Sequence, residues 1–312
     1  MRLFGQYIGY KNQNTLLLLL CLLLLVVWLF LYVYRDPTSA HREGFQQSQR
    51  FLVQRDADMY DGFSAHIYNR IYQPDKHNSA IFDAVESLTQ MDHNKSILLD
   101  AGSGTGELLY YMASKGYVNA YGIDQSTDMC TYARDTYDQI VVKEGDLRLP
   151  MTYDKHSFTH IMMTGNTVYH FDDKVQLFRN IHYWLMPQGY FVLELYQRDR
   201  FDPLPATGKP LLVDSLQSLV KERVTDCDID FGDFHYTSAY DFSHASSTNE
   251  VMFRETFVDS NTRNVRQNEL VMYMEDVNEV VHLAQRAGFL VHGKMNVVDD
   301  PFKFVFVLQR MN

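Results

Sequence analysis

The stretch Ile97-Leu98-Leu99-Asp100-Ala101-Gly102-Ser103-Gly104-Thr105-Gly106 decides the fold. Its apolar start reads as a short buried strand. Three alternating glycines then permit a tight turn and a close approach of backbone to ligand. Leu108, Leu109, Met112 and Ala113 follow at helical spacing. A strand, a glycine turn and a helix place the helix's free N–H groups at the strand's C-terminal edge, where a ligand can dock. A plain structural turn would have the same local pattern. A dinucleotide fingerprint would require a glycine at position 107, which is Glu107.

Working outward, Val118 to Ile123 reads as a second strand that ends at Asp124. A carboxylate there offers two oxygens to a pair of ribose hydroxyls. Gln139 to Lys143 reads as a third strand and leads into Glu144-Gly145-Asp146-Leu147. Phe158 to Met163 is a fourth, opening onto Thr164-Gly165-Asn166. A helix over Asp172 to Leu185 reaches the turn Met186-Pro187-Gln188-Gly189, and Tyr190 to Leu195 is a fifth strand. An amphipathic helix over Asp276 to Ala287 precedes a strand from Gly288 and a last one over Phe302 to Leu308. This alternation predicts an α/β fold, a doubly wound and mostly parallel seven-stranded sheet. Right-handed crossovers would gather Asp100, Gly102, Ser103, Gly104, Gly106, Asp124, Asp146 and Thr164 at one sheet edge.

The string Asp100 to Gly106 resembles the first motif of class I (seven-strand, Rossmann-like) S-adenosylmethionine-dependent methyltransferases, an acid followed by Gly-x-Gly-x-Gly. The Met186 to Gly189 turn is similar to that family's Leu-x-Pro-Gly-Gly hairpin, with Gln188 in place of a glycine, and the Ala287-Gly288-Phe289 junction also looks like the family. The resemblance runs from Tyr60 to Met311 and is sharpest over Leu99 to Asp146. It departs at Thr159, where an acid is common. It implies S-adenosylmethionine as cofactor, held by Asp100, Gly102, Ser103, Gly104, Gly106, Asp124, Gln125, Asp146, Leu147 and Thr164, with Asp146 reading the adenine amino group. Tyr68 and Tyr72 match a Tyr-Asp-x-x-Tyr segment that closes over the cofactor, with Asn69 replacing the acid.

Methyl transfer from a sulfonium needs alignment first, and a base only if the nucleophile arrives protonated. Tyr169 and His170, just past the fourth strand, are candidate catalytic residues. Glu194 at the fifth strand end could steer a cationic amine. Residues 197–273 form an insertion far longer than a crossover needs. Within it, Glu250 to Val258 and Asn264 to Tyr273 flank a polar turn, the pattern of a hairpin. An antiparallel β insertion laid over the site would bring His235 or His244 toward it. No His-Glu-x-x-His or cysteine cluster suggests a metal, and Cys130 and Cys227 read as inert thiols.

The 312 residues carry 28 Lys and Arg against 39 Asp and Glu, a net charge of −11. That balance disfavours a nucleic-acid partner, whose phosphates call for clustered bases. Residues 1–40 differ in kind, with Arg2, Lys11 and Arg35 against Asp36 alone. Thr15 to Tyr34 has no charge, and a helix of that length spans about 30 Å, a bilayer's hydrocarbon thickness. Trp28, Tyr32 and Tyr34 would sit at the interface. A cleaved signal peptide, with Thr38-Ser39-Ala40 near the cut, is the competing reading. The expected organisation is a tail over 1–14, a transmembrane helix over 15–34, a linker over 35–59 and a methyltransferase domain over 60–312. The lipid bilayer is the expected partner of residues 15–34, and the domain is expected in the cytosol, where the cofactor is made. The expected acceptor is an N or O atom of a small molecule. A protein side chain, or a tethered inactive module that only binds, is the alternative.

Overall fold

The computed structural model describes residues 19–28, 47, 49–209, 215–297 and 300–311. The chain divides into two units, Met1–Gln46 and Gln47–Asn312. In the first unit residues 19–28 are helical and exposed. Among the described residues no helix is long and apolar enough to cross a membrane. The tail over 1–14 and the remainder of the expected span over 15–34 lie outside the described residues.

The second unit holds two sheets. The larger has seven strands in the order β11-β12-β6-β5-β2-β3-β4. These are β2 (Leu98–Ala101), β3 (Ala120–Asp124), β4 (Val141–Glu144), β5 (Phe158–Met163), β6 (Leu185–Tyr196), β11 (Phe289–Val297) and β12 (Asp300–Arg310). β2 pairs in parallel with β3 and β5, β3 with β4, and β5 with β6, while β12 runs antiparallel between β6 and β11. Every residue of β2 is buried, as both faces of a parallel sheet are covered. Leu99, Ile161 and Phe191 pack with Phe178, Ile181 and Val280 on one face. Leu98, Val192 and Val307 pack with Phe82, Val85 and Met112 on the other. Strand order reverses at β2, so the crevice beyond its C-terminal end is the natural ligand site.

The covering helices are α1 (Gly62–Tyr72), α2 (Pro74–Thr89), α3 (Glu107–Ser114), α4 (Thr127–Thr136), α5 (Lys174–Trp184) and α7 (Val277–Arg286), with the short α6 (Ala245–Thr248) between them in sequence. Asp61, Ser126 and Asp173 cap α1, α4 and α5, each accepting a backbone N–H of the first turn. β6 starts directly after α5 and includes the Met186 to Gly189 turn. Gln188 takes a φ of +65° there. A Cβ on Gly189 would meet two carbonyl oxygens at 2.9 Å, which is why glycine stands at that position. Thr159 is structural, because its hydroxyl accepts the Ile97 N–H at 2.8 Å and donates to the Ile97 carbonyl at 3.0 Å. An ionised acid could not make the second bond.

The smaller sheet has the order β1-β10-β9-β8-β7. Its strands are β1 (Phe51–Arg55), β7 (Asp226–Asp230), β8 (Phe234–Asp241), β9 (Glu250–Asp259) and β10 (Val265–Tyr273). Four come from the insertion and are mutually antiparallel. β1 corrects the linker expected over 35–59. It pairs in parallel with β10, Phe51 opposite Val265. Five residues with no turn signal beside them carry no local mark of a strand, and their partner is far away in sequence.

Candidate active site

The glycine loop lies at the C-terminal end of β2. Gly102, Gly104 and Gly106 all have positive φ, +83°, +51° and +85°, a region costly to other residues. The outer two also need their missing Cβ. One on Gly102 would come within 2.5 Å of Thr167, and one on Gly106 within 3.0 Å of Ala133. Gly104 differs, since a Cβ there would meet nothing within 4 Å. The loop is packed at both ends and open in the middle.

Asp124 at the end of β3 fixes that shape. Its Oδ2 accepts the Gly104 N–H at 2.8 Å and its Oδ1 the Ser126 N–H at 2.9 Å. The Gly102 and Ser103 N–H groups bond the Ile123 carbonyl. The Ser103 side chain is buried over Gly122 of β3, so its hydroxyl faces the strand and not the open space. Burial pushes the Asp124 carboxyl up, with its backbone donors opposing. Burial and then the Asp124 charge raise Asp100 to about 7. A buried acid, Asp100, and a half-buried one, Asp124, close enough to raise it favour a positively charged ligand. The open space and the acids together fit S-adenosylmethionine, which is cationic and carries ribose hydroxyls.

At the rim, Asp146 binds Arg148 at 3.0 Å, and Arg148 donates to the Gln125 side-chain oxygen at 3.0 Å. Leu147 is buried, and its carbonyl accepts the Asn180 side chain at 2.9 Å. Thr164 follows β5 half-buried, and the next N–H, of Gly165, donates to Glu194 at 2.7 Å.

Helix α1 supplies the tyrosines. Tyr68 and Tyr72 are one turn apart, with ring centroids 4.7 Å from each other. Burial, then Asp124, Glu255 and Glu194, push the Tyr68 hydroxyl up to about 12. Tyr68 therefore stands among acids from the cofactor loop, the smaller sheet and β6. Asn69 faces the glycine loop, accepting the Thr105 hydroxyl and donating to Glu107, both at 2.6 Å.

The catalytic candidates separate. His170 stacks on Tyr60 with centroids 5.6 Å apart, and the Tyr60 hydroxyl lies 3.3 Å from its Nε2. Burial and then Lys174 hold His170 down to about 4, so it is neutral at physiological pH. Tyr169 is fully buried, and its hydroxyl accepts the Tyr196 N–H at 2.8 Å, a structural bond. His235 alternates along β8 with the buried Tyr236 and pairs with Asp228 at 3.1 Å. The period of two places it on the opposite face from Tyr236, away from the tyrosines. His244 is exposed before α6. Glu194 is fully buried and already bound to His77 at 2.8 Å and Lys303 at 2.6 Å, so it is not free to steer an amine. Among the described residues no group of side chains is arranged to hold a metal.

The sequence reading missed Glu255. It lies in the run Glu250 to Val258, where Val251, Phe253 and Phe257 face inward. An acid on that apolar face was the available signal.

A family model described as a methyltransferase domain matches residues 98–189. Phosphoethanolamine N-methyltransferase 1 of Arabidopsis thaliana is 27% identical over 177 residues, 55% of this chain and 35% of that protein. The chain spans between 22% and 39% of the length of the curated relatives it matches. An S-adenosylmethionine-dependent methyltransferase from Clostridium acetobutylicum superposes with a TM-score of 0.61 at 14% identity, covering 80% of this chain and 98% of that one. S-adenosylmethionine-bound CalS10, an amino pentose methyltransferase from Micromonospora echinaspora, does so at 0.53 and 16%, covering 80% and 96%. Residues 98–189 match the methyltransferase-domain model, and the chain has the fold of the class I methyltransferases, whose cofactor is S-adenosylmethionine.

Proposed function

We propose that this chain transfers the methyl group of S-adenosylmethionine to a nitrogen atom of a small molecule. One observation carries the reading. The glycine loop is open only over Gly104, and a buried acid, Asp100, and a half-buried one, Asp124, border it. The nitrogen acceptor is supported by the relatives, one named for a phosphoethanolamine and one for an amino sugar, and by the acidic net charge, which suits a cationic metabolite better than a nucleic acid.

The cofactor supplies an electrophilic methyl group when bound. The chain's own part is to align the acceptor. An ammonium must shed a proton to water before its lone pair can attack, and neutral His170, in contact with the Tyr60 hydroxyl, can accept a hydrogen bond from the resulting amine and orient it. The test is calorimetry of the full chain with S-adenosylmethionine, followed by transfer of a labelled methyl group to a small-molecule extract. Saturable binding and a labelled product are expected, and absence of binding defeats the reading. A tethered module that binds no cofactor is the second reading. It is favoured by Asp146, which is engaged by Arg148 where adenine would need it.

The uncharged run Thr15 to Tyr34 supports a further part of the proposal, a single-pass anchor holding the domain at the cytosolic face of a membrane. The full chain should stay with membranes through alkaline carbonate extraction. Release into the wash would remove the anchor.

A further inference from the structure

We infer that Glu255 of β9 seats the positively charged amine of the methyl acceptor, against the rings of Tyr68, Tyr72 and Tyr236. The inference rests on the methyl-transfer reading and assigns the acceptor's end of the site.

Strand alternation puts Glu255 on the same face as Val251, Phe253 and Phe257, and it is only 4% exposed. A carboxylate there loses its water and must be compensated. Its direct partners are three neutral donors. Asn268 donates to Oε1 at 2.8 Å, and Tyr72 and Tyr236 donate to Oε2 at 3.1 and 3.2 Å. Among the described residues no Lys, Arg or His forms an ion pair with it. Arg266, on the neighbouring strand, gives its guanidinium to Asp61 at 2.8 Å and lies over the Phe63 ring. Burial is the largest influence on Glu255 and pushes its carboxyl up against these donors and the charge of Arg266.

Other buried acids of the domain are compensated in one of two ways. Glu194 has His77 and Lys303, Glu275 has Lys174 at 2.7 Å, and Asp202 has Lys209 at 3.4 Å. Asp259 and Asp300 have no ion pair but accept backbone N–H groups of the residues that follow them. Among the described residues Glu255 has neither an ion pair nor a backbone donor, and Arg266 acts on it only from a distance. A buried acid compensated in neither way is a seat for a charged ligand.

Position then identifies the ligand. Tyr68 feels both Asp124 and Glu255, and the hydroxyl of Tyr60 is raised by the same two acids after burial and Tyr68. Glu255 thus closes the lid side of the tyrosine group whose other side is the cofactor loop. Tyrosine rings attract a cation through their faces. An ammonium on this seat would lie between Glu255 and the transferable methyl, beside the Tyr60 and His170 pair. An alcohol would bring no charge to the carboxylate.

The experiment uses the full chain, labelled S-adenosylmethionine and a small-molecule extract as the acceptor pool. Unreacted S-adenosylmethionine is first adsorbed through its adenine on charcoal, and the products are then passed over a cation-exchange resin at pH 2, which retains N-methyl amines and lets methyl ethers and esters of acceptors without an amine through. Wild-type label should be retained. Glu255→Gln should bind the cofactor with unchanged affinity in calorimetry and form the retained product about 100-fold more slowly, the scale of losing a buried ionic contact. Should that variant fail to fold, Tyr236→Phe, which removes one donor and no charge, should cut the retained product about tenfold at unchanged cofactor affinity. Retained product formed at the wild-type rate by the folded variant overturns the seat. So does wild-type label that passes through the resin, or cofactor binding with no labelled product. A wild-type chain that binds no cofactor overturns the methyl-transfer reading beneath it.

Discussion

The side-chain oxygen of Asn69 on α1 accepts the hydroxyl of Thr105 in the glycine loop at 2.6 Å. Its amide nitrogen donates at 2.6 Å to Glu107, which also takes the Tyr137 hydroxyl at 2.6 Å. One residue therefore needs both an acceptor and a donor, and Asn provides them. Asn69→Asp keeps the shape but sets a carboxylate against Glu107. It should lower stability by roughly 1–3 kcal/mol and weaken cofactor binding, because the loop is tied to α1 through this contact. Urea unfolding and calorimetry read the two effects. A variant with wild-type values in both would mean that the contact does not hold the loop.

Asp124→Ala removes the acceptor of the Gly104 and Ser126 N–H groups. Each is a bond to a charged group, worth about 1.5–3 kcal/mol. The variant should lose cofactor affinity by about 10- to 100-fold and should also melt earlier, since the acid shapes the loop before any ligand arrives. Unchanged affinity in a folded variant would remove Asp124 from the cofactor site.

The parts of this site that could be read from the sequence are the parts made by near neighbours. Asp100, the alternating glycines and Asp124 follow from strands that end where the apolar runs end. The contacts completing the site are distant in sequence and have no local mark. His77 on α2 reaches Glu194 on β6, and Lys303 on β12 meets it from the other side. β1 finds β10 across most of the chain. His235 lies on β8, a strand the sequence did not mark, and one step in a period of two turns a side chain from the core to solvent.

Acid should weaken this fold in a defined window. Burial holds His160 down to about 4, and burial with Lys174 does the same for His170. Unfolded histidines titrate near 6.5 and unfolded aspartates near 3.9. Between about pH 4 and 6.5 the unfolded chain binds two more protons on these histidines. It binds one fewer on Asp100, which burial and then Asp124 raise to about 7 in the fold. The net is about one proton more in the unfolded state, so these groups make stability rise with pH by about 1.4 kcal/mol per unit. Above about 6.5 the histidine contribution is complete, and only the smaller opposing effect of Asp100 continues to about 7. Urea midpoints at pH 4.5, 5.5 and 6.5 measure the slope. His160→Gln should flatten it, and a slope unchanged by that variant would exclude His160 as its source.

Glu194 provides the sharpest stability test. Its side chain is fully buried and accepts from Gly165 on one oxygen and from His77 and Lys303 on the other. Burial alone would raise its carboxyl, but His77 and Lys303 outweigh burial and pull it well below the usual range. The stability it contributes is present above the unfolded glutamate value and is lost as pH falls below it. Glu194→Gln keeps an oxygen for Gly165 but leaves Lys303 and His77 without their anion. Breaking such a pair should cost about 3–5 kcal/mol. Adding Lys303→Met to that variant removes the stranded charge, so the double variant should unfold at higher urea than Glu194→Gln alone. If the double variant is the weaker, the residues act independently and the buried pair does not hold the β6 end of the site. If both match wild type, the Gly165 turn is held by its backbone bond alone.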